Sequence, residues 1–276
     1  MSLGRRSVVA GLAGWLGGCA PADLLNTTVP RTGYALEADI PYGPLPRQRL
    51  DFYRPETPRA DGKTVVFFYG GAWDHGEKNE YRFLGQALAA RGIAVIVADY
   101  RLYPDVRFPT FLDDGAQAVR WSADRVGIDR LFIMGHSAGA HIALMLAANT
   151  PYLASAGVDR MKMHGVIGLS GPYDFLPLTS PRLQDIFGGP NNLNIEPITF
   201  AKAPLPPALL IHGADDIVVR PGNSERLAAA WRAAGAPVEL KLYPQVDHKD
   251  VAAAFSDLLH GRAPTREDVV AWIDAH

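Results

Sequence analysis

The sequence lacks the features of a disulfide-stabilised or nucleic-acid-binding protein. It has one cysteine, Cys19, which excludes an internal disulfide. Lys and Arg number 27 against 29 Asp and Glu, and the resulting net charge of −2 gives no electrostatic reason to expect nucleic acid as a partner. Internal repeats and low-complexity runs are absent as well. No His, Cys, Asp or Glu set has metal-ligand spacing and no glycine fingerprint for nucleotides occurs, so the sequence predicts neither a metal nor a cofactor.

The N-terminal segment has the features of an export signal. Arg5 and Arg6 precede a short apolar stretch, 7–18, which is too short to span a bilayer and fits a secretory signal. Residues 16–19 resemble a bacterial lipobox, which predicts that Cys19 is lipidated and attaches the protein to a membrane of the cell envelope or periplasm. Another export signal, or a leader without a targeting role in a cytoplasmic protein, stays an alternative. We assign residues 1–30 to a leader and tether and 31–276 to one domain.

Beyond the leader, short apolar runs alternate with helical patterns. Several runs, such as 94–98, are continuous in Val, Ile and Ala, which is typical of strands covered on both faces. The alternation predicts an α/β fold with a mostly parallel, eight-stranded sheet and helices on both faces. The first two strands have no helix between them and should be antiparallel. The predicted strands are 36–42, 49–53, 64–69, 94–99, 130–134, 166–170, 208–212 and 238–243, and the predicted helices are 80–91, 109–125, 138–149, 222–234, 247–259 and 265–275.

The segment 171–207 interrupts this alternation. It is rich in Pro, Asn and Gly, and one short helix is predicted near 182–187. A loop of that size inside a compact domain is usually functional or forms a lid. We therefore interpret 171–207 as a small cap-like insertion, made of loops and a helix, that covers one end of the sheet.

The sharpest local signal is Gly-His-Ser-Ala-Gly at 135–139, which has the form G-x-S-x-G. It follows a predicted strand and opens a predicted helix, which is the context that this motif requires. The tight turn needs small flanking residues and holds the Ser137 hydroxyl above the edge of the sheet. The N-terminus of the helix adds a field that favours negative charge. Ser137 is therefore the candidate nucleophile.

A serine hydroxyl is a weak nucleophile at neutral pH and needs a base beside it. The motif has the chain order serine, acid, histidine, and this order favours His248, which follows the last predicted strand. The acid is then expected after the preceding strand, where Asp215 and Asp216 are adjacent. The acid would accept the N–H of His248, fix its tautomer and stabilise the imidazolium.

Five motifs in this order resemble those of the α/β-hydrolase fold superfamily, in particular bacterial carboxylesterases related to the hormone-sensitive-lipase and kynurenine-formamidase groups. The resemblance runs from residue 34 to the end of the chain. Its G-x-x-D-x-x-V turn at 213–219 selects Asp216 over Asp215 as the acid. The five motifs are Tyr-Gly-Gly-Ala-Trp at 69–73, Asp-Tyr-Arg-Leu-Tyr-Pro at 99–104, Gly-His-Ser-Ala-Gly-Ala-His at 135–141, His-Gly-Ala-Asp-Asp-Ile-Val-Val at 212–219, and His248.

The resemblance implies an oxyanion hole formed by the backbone N–H groups of Gly71, Ala72 and Ala138. The sequence departs from the superfamily's pattern at Tyr69, where a histidine is usual. That histidine mainly orders the loop, so the substitution leaves the backbone donors available and changes the support of the loop. The side chains expected to line an acyl or alcohol pocket, with core packing as the alternative, are those of Trp73, Tyr103 and Tyr173.

The resulting hypothesis is a serine hydrolase that cleaves carboxylic esters, with short acyl chains, through an acyl-enzyme. Its partner is a small-molecule ester, and the sequence does not determine the oligomeric state. An arylformamidase or other amidase that uses the same residues is one alternative. A lipid-anchored binding protein without turnover is another, which the intact order of Ser137, Asp216 and His248 argues against.

Overall fold

The computed structural model describes residues 21–202 and 204–276. Cys19 and the other residues of the predicted leader up to residue 20 lie outside the described residues. The described chain opens with a helix, α1 (Pro21–Thr27). Leu25 of this helix is buried, and the Asn26 side chain accepts a hydrogen bond from the backbone N–H of Phe83 at 3.1 Å. These contacts attach α1 to the rest of the described chain.

The remaining described chain forms a sheet with helices packed on it. Within these ranges, no helix combines the length and the apolar character needed to cross a bilayer. The strands are β1 (Tyr34–Pro41), β2 (Arg49–Pro55), β3 (Thr64–Phe68), β4 (Ala94–Ala98), β5 (Leu131–His136), β6 (Gly165–Leu169), β7 (Ala208–Gly213) and β8 (Val238–Tyr243). The other helices are α2 (Arg82–Ala89), α3 (Thr110–Val126), α4 (Ala138–Ala148), α5 (Thr150–Ser155), α6 (Pro181–Phe187), α7 (Gly222–Ala233), α8 (Asp250–Ala253) and α9 (Thr265–Ala275).

The strands form one sheet in the order β1-β2-β4-β3-β5-β6-β7-β8. β1 and β2 pair antiparallel, as do β2 and β4, whereas the pairs from β4 through β8 are parallel. Every residue of β3, β5, β6 and β7 is buried. Because successive side chains of a strand point to opposite faces, both faces of the sheet are covered. The predicted mostly parallel, eight-stranded α/β fold is confirmed.

The sheet order brings two loops together at the carboxyl ends of β3 and β5. The next parallel strand after β3 in the chain, β4, lies on one side of β3, and β5 lies on the other. Phe68 at the end of β3 pairs in register with Gly135 of β5. In open α/β sheets, a ligand crevice forms where the strand order reverses in this way. The loops that follow β3 and β5 carry the Gly-Gly stretch and Ser137.

The prediction of one continuous helix over 247–259 is wrong, because the helix in this range, α8, is a single turn of four residues. The Ser256 hydroxyl donates to the carbonyl of Ala253 at 2.7 Å and accepts the N–H of Leu259 at 3.2 Å. These bonds form a local turn that competes with the hydrogen bonds of a continuing helix. Helix α5 has no counterpart among the predicted elements, since its six residues are too few for a helical pattern to stand out.

The cap-like segment 171–207, as far as it is described, packs on the domain. It contains α6 and two 3₁₀ turns, Leu193–Ile195 and Pro197–Phe200. The buried carboxylate of Glu196 accepts the backbone N–H groups of Phe175 and Leu176 at 2.6 and 2.8 Å. These bonds hold the start of the segment against its own second half.

Candidate active site

Ser137 lies in a sharp turn between β5 and α4. Its φ of 54° is uncommon for a residue with a side chain and marks a strained turn. The flanking glycines are required by close backbone contacts: a Cβ on Gly135 would lie 2.1 Å from the carbonyl oxygen of Gly139, and a Cβ on Gly139 would lie 2.0 Å from that of Phe68. The G-x-S-x-G spacing therefore follows from the close approach of β3, β5 and α4.

The structure brings Ser137, His248 and Asp216 into one hydrogen-bonded line. Ser137 Oγ is 2.9 Å from His248 Nε2, and His248 Nδ1 is 2.7 Å from Asp216 Oδ2. Because an ionised carboxylate only accepts, Nδ1 of His248 carries the proton and Nε2 accepts from the Ser137 hydroxyl. His248 follows β8 and Asp216 follows β7, so both approach the same edge of the sheet as Ser137. The neighbouring Asp215 is exposed.

Asp216 is held as an ionised acceptor. It is 2% exposed, and its Oδ1 accepts the N–H groups of Val218 and Val219 at 2.9 and 2.8 Å. His212 Nε2 lies 3.2 Å from Oδ2, so His212 supports the acid directly as well as packing below the site. Burial alone raises the pKa of Asp216, but hydrogen bonds from His212 and His248 outweigh it and hold that pKa well below its usual range.

The loop after β3 turns through three residues with positive φ: Gly71 at 138°, Ala72 at 46° and Trp73 at 63°. A Cβ on Gly71 would lie 2.0 Å from the carbonyl oxygen of His75, so this position requires glycine. Within the described residues, the backbone N–H groups of Gly71, Ala72 and Ala138 donate to no protein acceptor. Ala138 is the first residue of α4, where N–H groups lack a helical partner. These three predicted donors are thus available to an oxygen of a bound molecule.

Tyr69, which replaces the usual histidine, anchors both ends of this loop. Its ring is buried and stacks on Tyr100 with centroids 4.6 Å apart. Nη2 of Arg47 donates to the Tyr69 hydroxyl at 2.6 Å and to the carbonyl of Gly76 at 2.8 Å. The Tyr100 hydroxyl donates to the Tyr69 carbonyl at 2.8 Å. The substitution therefore keeps the loop supported through different contacts.

The three aromatic residues predicted for a pocket have different surroundings. Trp73 is 5% exposed and packs edge-on against Phe187. The Tyr103 side chain is half-buried, and its hydroxyl donates to Asp185 of α6 at 2.9 Å. Tyr173 is fully buried, and its hydroxyl lies against the backbone of Gly168 in β6. A Cβ on Gly168 would come within 2.1 Å of that hydroxyl oxygen. Tyr173 thus packs against β6.

His136 and Tyr81 also belong to the site, although the sequence pattern did not assign them to it. His136 Nε2 lies 3.0 Å from the carbonyl oxygen of His248, and its Nδ1 lies 3.3 Å from the Tyr81 hydroxyl. The position of His136 between Gly135 and Ser137 is a signal that could have found it. Nothing in the sequence pointed to Tyr81. In the part of the chain that is described, no cluster of three or more His, Cys, Asp and Glu could hold a metal ion.

The chain is similar to proteins named as esterases and as kynurenine formamidases. The model of the BD-FAE family matches residues 50–231. An isoprenylcysteine alpha-carbonyl methylesterase of Arabidopsis thaliana is 31% identical over 86% of this chain and 61% of its own length. A kynurenine formamidase of Danio rerio is 32% identical over 53% of this chain and 50% of its own length. The chain thus spans less than two thirds of these relatives.

Among solved structures, esterase B from Lactobacillus Rhamnosis superposes with a TM-score of 0.76 and 24% sequence identity. The superposition covers 92% of this chain and 90% of that protein. At this level of identity the likeness concerns the fold. Together with the sheet order and the turn at Ser137, it confirms the predicted α/β-hydrolase fold.

Proposed function

Because the chain belongs to the BD-FAE family, we propose that it is a serine hydrolase that cleaves carboxylic esters through an acyl-enzyme on Ser137. The observation that carries this proposal is the line of hydrogen bonds from Ser137 through His248 to Asp216, next to three backbone N–H groups that donate to no acceptor in the described chain. An ionised acid, an oriented base and a strained serine turn are the parts that acyl transfer requires.

In the first half of the reaction, Ser137 Oγ attacks the ester carbonyl carbon while His248 Nε2 accepts the hydroxyl proton. Asp216 stabilises the imidazolium that forms. The carbonyl oxygen becomes an oxyanion, which accepts hydrogen bonds from the N–H groups of Ala138 and of the loop at Gly71 and Ala72. Collapse of this intermediate breaks the ester C–O bond, and the alcohol leaves with the proton from His248.

In the second half, a water molecule takes the place of the alcohol. His248 accepts its proton while the water oxygen attacks the acyl carbon. The second tetrahedral intermediate collapses, Ser137 regains its proton, and a carboxylic acid is released. The cycle uses only side chains and backbone groups of this chain together with water.

We propose short acyl chains because aromatic rings are packed beside the oxyanion loop. The ring of Trp73, next to Ala72 in the chain, lies 4.8 Å from that of Phe187 and 5.2 Å from that of His141, both edge-on. Rings at these centroid separations are in direct contact. A long acyl chain would have to separate them.

A formamidase or other amidase that uses the same residues is the second candidate. The relative that favours it is the kynurenine formamidase of Danio rerio. The chemistry differs only in the leaving group, which is an amine instead of an alcohol. Rates on N-formylkynurenine and on aryl esters, measured with one enzyme preparation, would separate the two candidates.

The central experiment combines an activity-based probe with a series of aryl esters of increasing acyl length. We expect a fluorophosphonate to label the wild type, p-nitrophenyl acetate or butyrate to be hydrolysed with a burst, and Ser137→Ala to abolish both. Ser122→Ala is a matched control, because Ser122 is buried in α3 and donates to the Ala118 carbonyl. Labelling that persists in Ser137→Ala would remove Ser137 from the mechanism. A wild type that is not labelled would favour the binding protein without turnover.

We also propose that the protein is exported and attached to a membrane of the cell envelope through a lipid on Cys19. The support for this is the sequence of the first 19 residues alone. Mass spectrometry of the N-terminus of the mature protein tests it. Recovery of residues 1–18 intact in cells would refute export with cleavage.

A further inference from the structure

We propose that His136 is a positioning residue, which together with Tyr81 holds the His248 loop and the oxyanion loop in place around Ser137. This inference rests on the proposed function, because it explains how the groups of that site are kept in register. His136 precedes Ser137 in the chain, and its ring contacts the backbone carbonyl of His248 and the hydroxyl of Tyr81. It lies at the junction of the three segments that the reaction needs.

The contacts of the His136 ring reach both loops. Nε2 is 3.0 Å from the backbone carbonyl oxygen of His248, and the two imidazole rings have centroids 5.0 Å apart. Nδ1 is 3.3 Å from the Tyr81 hydroxyl, and that hydroxyl accepts the N–H of Gly70 at 3.3 Å. Gly70 directly precedes the oxyanion-loop residue Gly71. One ring therefore connects the backbone of the base with the start of the oxyanion loop.

The partners allow only one direction for these hydrogen bonds. A carbonyl oxygen accepts, so Nε2 of His136 must carry the proton that binds the His248 carbonyl. Nδ1 of a neutral ring is then an acceptor, and the Tyr81 hydroxyl must donate to it. The hydroxyl oxygen still has a lone pair for the N–H of Gly70. Each polar group in this chain of contacts thus has a partner, and a single tautomer satisfies them all.

The surroundings keep this tautomer neutral. His136 is buried, and burial, followed by the nearness of His248, lowers its pKa to about 3, with His212 acting in the same direction and Asp216 opposing it. A second proton on His136 would need a new acceptor where Tyr81 already donates. A neutral ring also adds no positive charge beside His248, which becomes an imidazolium during the reaction. The geometry is therefore maintained at the pH at which the base works.

Substitution of His136 by an amide side chain can distinguish the hydrogen bond of Nε2 from that of Nδ1. The amide of Gln reaches the place of the ring Nε2 and can donate to the His248 carbonyl, whereas the shorter amide of Asn reaches only the place of Nδ1. We expect His136→Gln to keep kcat within about threefold of the wild type. His136→Asn and His136→Leu should lower kcat by about 10- to 100-fold with KM unchanged, because the base moves while no substrate contact is lost.

Two further variants complete the test. Tyr81→Phe removes the acceptor of the Gly70 N–H and should also lower kcat; an unchanged kcat would overturn the link to the oxyanion loop. His164→Leu is the control for the loss of a histidine, since His164 stacks on Phe132 at the opposite end of the sheet. Equal kcat values for His136→Gln and His136→Leu, or a change confined to KM, would overturn the positioning role.

A measurement that does not need turnover separates this inference from the proposed function. NMR of protein with ¹⁵N-labelled histidine should show His136 as the neutral Nε2–H tautomer between pH 5 and 8. The Nδ1–H proton of His248 should be protected from exchange in the wild type and in His136→Gln, but not in His136→Leu. A wild type with this NMR pattern and no esterase activity would refute the proposed function alone. An active wild type whose His248 signal is unaffected in His136→Leu would refute the link alone.

Discussion

Asp216→Asn tests the hydrogen bonds that join Ser137, His248 and Asp216. The introduced amide has nearly the same shape as the carboxylate, and its oxygen can still accept the N–H groups of Val218 and Val219. The loop should therefore keep its conformation. What changes is the atom that faces His248, which becomes an NH₂ donor directed at the Nδ1–H donor.

Two donors cannot bind each other, so His248 is expected to adopt the other tautomer. Its Nδ1 then accepts from the amide and its Nε2 carries the proton, which points at Ser137 Oγ, only 2.9 Å away. In that state Nε2 cannot accept the serine proton. A change of this kind lowers kcat by about 10,000-fold, which corresponds to about 5 kcal/mol in the activation barrier.

The assay is steady-state hydrolysis of p-nitrophenyl acetate at pH 7 to 8, with thermal unfolding to verify that the variant is folded. The control is Asp215→Asn, which changes the adjacent but exposed aspartate and should leave kcat unchanged. Retention of a tenth of wild-type kcat by Asp216→Asn would refute the assigned tautomer. A large loss in Asp215→Asn would refute the choice between the two aspartates.

Two further predictions concern the oxyanion loop and the pH dependence of stability. Gly71→Ala should lower kcat by roughly 100- to 1000-fold, because a Cβ 2.0 Å from the His75 carbonyl oxygen displaces the donors. The control Gly261→Ala, with no atom within 4 Å of its Cβ, should leave kcat unchanged. Equal kcat values in both variants would contradict this prediction. Burial lowers the pKa of His136 to about 3 and of His141 to about 4, so only the unfolded chain binds these protons as pH falls below 6.5. The free energy of unfolding should then decrease by about 1 kcal/mol per pH unit for each histidine as the pH falls from 6.5 to 4.5. Urea denaturation measures this free energy, and a constant value over the range would contradict the prediction.

The order and type of most elements could be predicted because they depend on local patterns. Continuous apolar runs indicate buried strands, and β8 was predicted at its observed bounds. The short helix α8 was overestimated because Ser256 replaces helical bonds with a turn that no periodicity reveals. Helix α5 was missed for a related reason, since its six residues make fewer than two turns and show no helical pattern.

The sequence by itself determined the candidate nucleophile and its base, because each follows a strand end in the chain order of a known motif. The resemblance of the turn at 213–219 selected Asp216 as the acid. Only the tertiary structure decided what supports them. His136 and His248 are 112 residues apart in the chain, and the Tyr69 hydroxyl meets Arg47 from another strand-end loop. Such contacts depend on the sheet order, which places β3 between β4 and β5. Local patterns report which residues form a strand, but the neighbours of that strand are set by how the whole sheet packs.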